Sequence, residues 1–261
     1  TNGFTHIPYD DLEALKQTLE SNPNIVGFLV EPIQGEAGVY TPGKDFISGA
    51  RALCSQYNVL LITDEIQTGI GRTGSLLAVC GDCTCEDACE QQPATYIRPD
   101  ILILGKALSG GTYPVSAVLC DSEIMDVIQP GQHGSTFGGN PIAAVVATKA
   151  LEIVAQEHLT QNARQLGKLF RSEMEAFKKG SKIIKEVRGR GLLNAIEIND
   201  SPESSTAWEI CVALMENGLL AKPTHGNTIR FTPPLVMTET QMKECIELII
   251  RTLKSFEYKI G

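Results

Sequence analysis

The chain has 261 residues, 43% of them hydrophobic and 20% charged, which suits a folded globular protein with a substantial core. Its formal net charge of −9 argues against nonspecific attachment to nucleic acid or to an anionic membrane surface. No apolar run approaches the roughly 18 to 20 residues of a membrane-spanning helix, and Thr1-Asn2-Gly3-Phe4 has neither a basic signal-peptide start nor an Arg-rich transit pattern. With no initiating Met, sequence upstream of Thr1 is expected.

Asp10 or Asp11 can cap a helix through Leu12, Leu15 and Leu19, which Asn22-Pro23-Asn24 ends. The run Ile25 to Val30 is apolar throughout and of strand length, as in a parallel sheet buried on both faces. A helix over about Asp45 to Gln56 follows, then similar runs at Val59 to Ile62, Ile101 to Leu104 and Val115 to Leu119. Such strands separated by helices and loops argue for an α/β fold with a mostly parallel sheet. Pro141 to Gln156 and Leu159 to Lys178 read as helices. Beyond them the pattern changes to α+β: a strand from Leu192 to Ile198, a helix near Ser205–Glu216, short strands at Leu219–Ala221 and Thr228–Phe231, and an amphipathic helix from Glu239 to Phe256. Residues 1–157 are therefore expected to belong to one domain and 158–261 to a smaller one.

Ligands of open α/β sheets sit beyond the carboxyl ends of the strands, and here those ends are polar. The first run leads into Glu31 to Gly38, the second into Asp64 to Gly69, the third into Gly105 to Gly111 with Lys106 at its start. A Lys directly after a buried strand is either a solvated strand end or an amine whose pKa is lowered for covalent chemistry. Lys106 by itself leaves both open. Asp64 at a neighbouring strand mouth adds a carboxylate that can keep a pyridine nitrogen protonated. The stretch His133 to Asn140 adds hydroxyls and glycines suited to a phosphate. Asp64-Glu65 after an apolar strand also has the look of a magnesium-holding element of P-loop ATPases. The G-x-x-x-x-G-K-[ST] loop that such a site needs is absent around Lys106.

The segments Asp64 to Gly69, Leu104 to Gly111 and Gly134 to Asn140, together with Glu31 to Gly38, resemble the core motifs of class III (subgroup II) aminotransferases. Leu219 to Asn227 and Ile229 to Leu235 are similar to the ornithine aminotransferase branch. The resemblance implies the fold type I of pyridoxal-phosphate enzymes, with part of the large domain followed by a small α+β domain. It implies transfer of the δ-amino group of L-ornithine to 2-oxoglutarate, with acetylornithine or 4-aminobutyrate as alternative donors and a noncatalytic dimerising remnant as the alternative class. Lys106 would bond the aldehyde carbon of pyridoxal 5′-phosphate as an imine and then shuttle a proton. Asp64 would pair with the ring nitrogen and Gln67 with the ring hydroxyl oxygen. Ser135 and Thr136 would reach the phosphate in a neighbouring subunit, which makes a homodimer part of the site. Arg230 would bind the α-carboxylate, and Glu36 would cover Arg230 for one substrate and release it for the 2-oxo acid.

The resemblance carries no metal, nucleic acid or membrane partner, and it implies the cytoplasm or the mitochondrial matrix. The family's N-terminal portion has no counterpart in these residues, so little activity is expected from them alone. Arg188 and Arg190 are expected to make contacts between the domains, Glu31 is an open case as a loop-backbone partner, and Lys222 and His225 are expected in a turn with Lys222 solvated. Of eight cysteines, Cys54, Cys120, Cys211 and Cys245 read as buried thiols. Cys80, Cys83, Cys85 and Cys89 fall in or beside an insertion over 81–95 that departs from the family pattern. Its C-x2-C-x-C-x3-C spacing is cramped for zinc, which favours an exposed loop over a disulfide or a metal site.

Overall fold

The computed structural model describes residues 2–81 and 97–259. The calls made for Cys83, Cys85, Cys89 and the rest of their insertion lie outside the described residues.

The first sheet runs β1 (Gly27–Val30), β2 (Leu60–Asp64), β3 (Ile101–Leu104) and β4 (Ala117–Cys120), in that order. The first three are mutually parallel, and β4 turns back antiparallel to β3. Helices α1 (Leu12–Ser21) and α2 (Phe46–Gln56) cover one side of β1 and β2. Asp11 rather than Asp10 caps α1, accepting the N–H of Ala14 at 2.8 Å; the carboxylate of Asp10 instead accepts the N–H of Gly43. Leu15, Leu19, Phe46, Ala50, Cys54 and Leu61 close this core, each burial worth about 1.5–3 kcal/mol for a large aliphatic or aromatic side chain. Burial on both faces does not extend to the outer strands. Leu29 of β1 and Val118 and Leu119 of β4 are about half exposed, because nothing among the described residues lies over them.

After the short α3 (Ser122–Met125), α4 (Pro141–Gln156) is started by Asn140, whose side chain accepts from the N–H of Ala143, with Pro141 in the first turn. It packs on the 3₁₀ turn Lys106–Ser109 through Leu108 and Val154.

The second sheet has the order β5 (Ile184–Arg190), β6 (Leu193–Ile198), β8 (Thr228–Phe231), β7 (Lys222–Pro223) and is antiparallel throughout. Helices α5 (Leu159–Lys178), α6 (Thr206–Glu216) and α7 (Glu239–Ser255) bury Phe170, Met174, Ile210, Leu214, Ile246 and Ile249 against Ile196, Ile198 and Ile229. A capping box between Thr238 and Gln241 starts α7. Two expectations are corrected here. The short strand falls at Lys222–Pro223 rather than Leu219–Ala221. Ile184–Arg190, for which no strand was expected, is a full strand with a register irregularity between Ile184 and Glu186. Cys120 and Cys245 are only part-buried, whereas Cys54 and Cys211 are buried as expected; burial pushes the Cys211 thiol up to about 12.

The two sheets are stitched by main-chain contacts. Leu192 N–H donates to Arg72 O at 2.9 Å, and the Arg72 guanidinium donates to the carbonyls of Leu192 and Pro233. Gly191 sits in the crossing, at φ +52, where an added Cβ would lie 2.3 Å from the carbonyl carbon of Thr73. Arg188 and Arg190 span the same seam, donating to Gly38 O and Ala78 O respectively, and Arg188 also stacks on the Tyr40 ring at 4.6 Å.

Candidate active site

The carboxyl ends of β1, β2 and β3 meet the hairpin of β7 and β8, and most of the polar residues singled out in the sequence converge there. Asp64 is the last residue of β2; its Oδ1 accepts the N–H of Ile66 at 2.9 Å, a local turn that fixes the carboxylate at the strand mouth. Lys106 stands at the same end of the adjacent β3, just past Gly105. Its φ of +48 is rare for a side-chain-bearing residue and turns the chain into the 3₁₀ turn. Burial, and then the positive charge of Arg230, hold the Lys106 ammonium below its ordinary range, with Arg72 and Lys222 adding to the effect and Glu36 opposing it. The amine therefore loses its proton more readily than a surface lysine.

The loop from Glu31 to Tyr40 brings in the acid. It is a tight hairpin closed by paired main-chain bonds between Gln34 and Tyr40, with Val39 fully buried at φ +59. A β-branched residue in that region is strained. The strain is held by burial against Ile33, Leu193 and Ala195 and by Arg188 on Gly38 O. Glu31 is a loop-backbone partner, accepting Gly35 N–H at 3.0 Å; burial raises its pKa, with Asp64 and Glu36 adding to the rise. Glu36, at the tip, contacts Arg230 Nη1 at 2.7 Å through Oε1 and Lys222 Nζ at 2.9 Å through Oε2. Gln67 completes the cluster: its amide donates to Glu36 and its oxygen accepts from Arg230, both at 3.1 Å. Hydrogen bonds from Lys222 and Arg230 pull the Glu36 carboxyl down to about 2.

Arg230 lies on β8 with only 6% of its side chain exposed. Its Nε is buried and has no hydrogen-bond partner among the described residues. A buried guanidinium N–H without a protein acceptor fits a carboxylate, whose two oxygens match the guanidinium fork. Gly35 lies directly beneath this cluster, where an added Cβ would fall 2.6 Å from Gln67 Oε1 and push that side chain aside.

The structure treats the remaining candidates differently. Lys222 is exposed but ion-paired, on a strand rather than in a turn, which corrects the expectation of a merely solvated residue; His225 does lie in the turn that follows. Ser135 and Thr136 are on the exposed stretch before α4. Ser135 Oγ accepts Gly138 N–H at 2.8 Å. The residues that follow, Phe137 to Asn140, line a cavity of about 800 Å³ together with Lys106, Tyr113 and Ser116. That volume falls in the range of cofactor and small-molecule sites.

Sequence reasoning missed Glu65. It is fully buried and accepts from Thr68 Oγ1 and from the N–H groups of Ala78 and Val79, thereby pinning the turn that carries Asp64 and Gln67. Its position beside Asp64 offered no separate signal.

Lys106, its pKa lowered, and the Asp64 carboxylate thus stand at adjacent strand mouths, with Arg230 covered by Glu36 on the neighbouring hairpin. The chain belongs to the class-III aminotransferase family, whose profile matches residues 4–253. Among its relatives, the mitochondrial ornithine aminotransferase of Drosophila melanogaster is 53% identical over 97% of this chain and 54% of its own length. The solved acetylornithine aminotransferase of Elizabethkingia anophelis is 57% identical, with a TM-score of 0.89 over 98% of this chain and 64% of that one. The Plasmodium yoelii ornithine aminotransferase structure is 48% identical, with a TM-score of 0.87 over the same shares. The chain thus spans about half the length of the curated relatives it matches.

Proposed function

We propose that the protein containing this chain is a pyridoxal-phosphate-dependent ornithine aminotransferase, which moves the δ-amino group of L-ornithine to 2-oxoglutarate and yields glutamate 5-semialdehyde and glutamate. The observation that carries the reading is the Glu36–Arg230 contact, 2.7 Å long, set beside Lys106. One guanidinium that is alternately covered and free lets a single cleft take two substrates of different charge.

The residues fit the cofactor: an amine of lowered pKa, a carboxylate at the next strand mouth, and a cavity reaching from Lys106 to the glycines before α4. When bound, the pyridoxal ring withdraws electrons from the substrate carbon and carries the amino group from donor to acceptor. Lys106 supplies the unprotonated amine that holds it, and its Nζ then takes and returns the proton at the substrate carbon. Asp64 keeps the ring nitrogen protonated, and Gln67 is the amide within reach of the ring hydroxyl oxygen. Arg230 binds the α-carboxylate in a bidentate fashion, and Glu36 covers it when the amino donor is present.

Ser135 and Thr136 serve a phosphate in a second copy of the chain. Exposed Phe137, Ile142 and Val145, close to them along the chain, support such a homodimer, since exposed apolar side chains of that kind mark association surfaces. Among the described residues no helix is long and apolar enough to cross a membrane, and the reading admits either the cytoplasm or the mitochondrial matrix.

The similarity to the Elizabethkingia enzyme favours acetylornithine as the second reading. Rates of the full-length protein with ornithine, N-acetylornithine and 4-aminobutyrate separate the candidates, with ornithine expected to be fastest. Borohydride reduction followed by peptide mass analysis should place the cofactor on Lys106, and Lys106→Ala should abolish that adduct. Labelling of another lysine overturns the assignment.

A further inference from the structure

The hairpin that carries Arg230 sets a second cation beside it. In the antiparallel pairing of β7 and β8, Lys222 is the direct partner of Arg230. Cross-strand partners present their side chains to the same face, a few ångströms apart. Two like charges in that position repel, so the pair calls for an anion. Glu36 provides it, with one carboxylate oxygen on each cation. The two cations differ in setting: the Arg230 side chain is 6% exposed and that of Lys222 is 58% exposed. The main chain at Glu36 is tied down independently, since its carbonyl accepts from Thr224 Oγ1 and the nearby Gly38 O accepts from Arg188. The carboxylate can therefore change partners without moving its loop.

We propose that Lys222 is a specificity-determining residue of this site: it keeps hold of Glu36 when Arg230 is handed to the acceptor's carboxylate, and its charge favours a dicarboxylate acceptor over a cationic amino donor. The inference rests on the role given to Arg230 above. With Glu36 across both cations, the three side chains carry a net charge of about +1, counted with Lys222 and Arg230 protonated and Glu36 ionised. If the carboxylate stays on Lys222 alone, Arg230 presents its full charge and its unused Nε. Without Lys222, a carboxylate leaving Arg230 has only Gln67 and water, so Glu36 competes harder with the incoming acid. The loss of one positive charge also weakens attraction for a dianion and relieves repulsion of a diamine. Both effects act in the same direction.

The test uses the full-length protein and glutarate, a dicarboxylate of the acceptor's length without the reacting oxo group. Calorimetric titration of the cofactor-free parent, Lys222→Gln and Lys222→Arg reads carboxylate affinity apart from turnover. The two half-reactions of the loaded enzyme are then measured separately. Loss of an exposed charge partner corresponds to about a three- to fivefold effect. Lys222→Gln is expected to weaken glutarate by that factor and to raise KM for 2-oxoglutarate alike. The ornithine half-reaction should instead hold or gain by up to about the same factor, because losing the charge relieves repulsion of the diamine, and Lys222→Arg should restore the parent values.

Unchanged glutarate affinity in Lys222→Gln overturns the proposal, as does an equal loss in both half-reactions, which would mark a merely structural lysine. A parent that neither binds glutarate nor converts ornithine removes the role of Arg230 and the proposal with it. A parent that does both, alongside a silent Lys222→Gln, removes only the role of Lys222.

Discussion

Replacing Glu65 tests whether the turn bearing Asp64 and Gln67 is held by a buried carboxylate. Glu65 is fully buried; one oxygen accepts Val79 N–H at 2.9 Å, the other accepts Ala78 N–H at 2.9 Å and the hydroxyl of Thr68. A glutamine of the same shape has one accepting oxygen, so one peptide N–H is left buried without a partner, at about 1–3 kcal/mol. The Thr68 hydroxyl can turn to accept from the new amide and adds little. Glu65→Ala orphans both N–H groups and leaves a void, for a total loss of about 3–5 kcal/mol. Denaturant unfolding of the full-length protein gives both numbers. Cofactor affinity gives the functional counterpart and should fall further for Ala than for Gln, because the freed turn no longer fixes Asp64. If Glu65→Ala unfolds within about 0.5 kcal/mol of the parent, the ordinary range for an inconsequential surface change, the anchoring argument is refuted.

Two further perturbations probe the seam and the amine. Gly191→Ala forces a Cβ to 2.3 Å from Thr73 backbone at a left-handed φ, so a loss of more than about 3 kcal/mol is expected in the same unfolding assay; a variant as stable as the parent would show that the crossing relaxes freely. Lys106 titrates below its ordinary value of 10.5, so in the window between the two values the unfolded chain binds more protons and stability rises with pH. Cofactor-free Lys106→Met should accordingly melt above the parent at pH 7, with the gap closing as the pH approaches that ordinary value. A lower melting temperature for the variant at neutral pH would contradict that sign.

Much of the first sheet was legible because its strands are continuous apolar runs. Residues 27–30, 60–64 and 101–104 needed no partner information to be recognised, and the polar residue that ends each run marked the strand mouth. The strand at 184–190 was not legible: Lys185, Glu186, Arg188 and Arg190 spoil its apolar alternation. Their partners are polar groups rather than a core: Lys185 pairs with Glu197 and Glu186 with Arg188, while Arg188 and Arg190 also reach Gly38 and Ala78 at the seam. Lys222 was read as a solvated turn residue for a related reason. Its 58% exposure fits that reading, and only the register of β7 on β8 sets it opposite Arg230.

Local order of residues by itself determined the strand-forming runs, the helix caps and the kinds of group at each strand end, since these depend on neighbours a few positions away. Tertiary structure alone decided which of those groups meet. Glu36 lies 194 residues from Arg230 and 186 from Lys222 along the chain. Their contact exists because a strained, buried hairpin and a four-stranded antiparallel sheet are packed across one seam. Coulomb attraction over a few ångströms selects a partner only after packing has delivered it there.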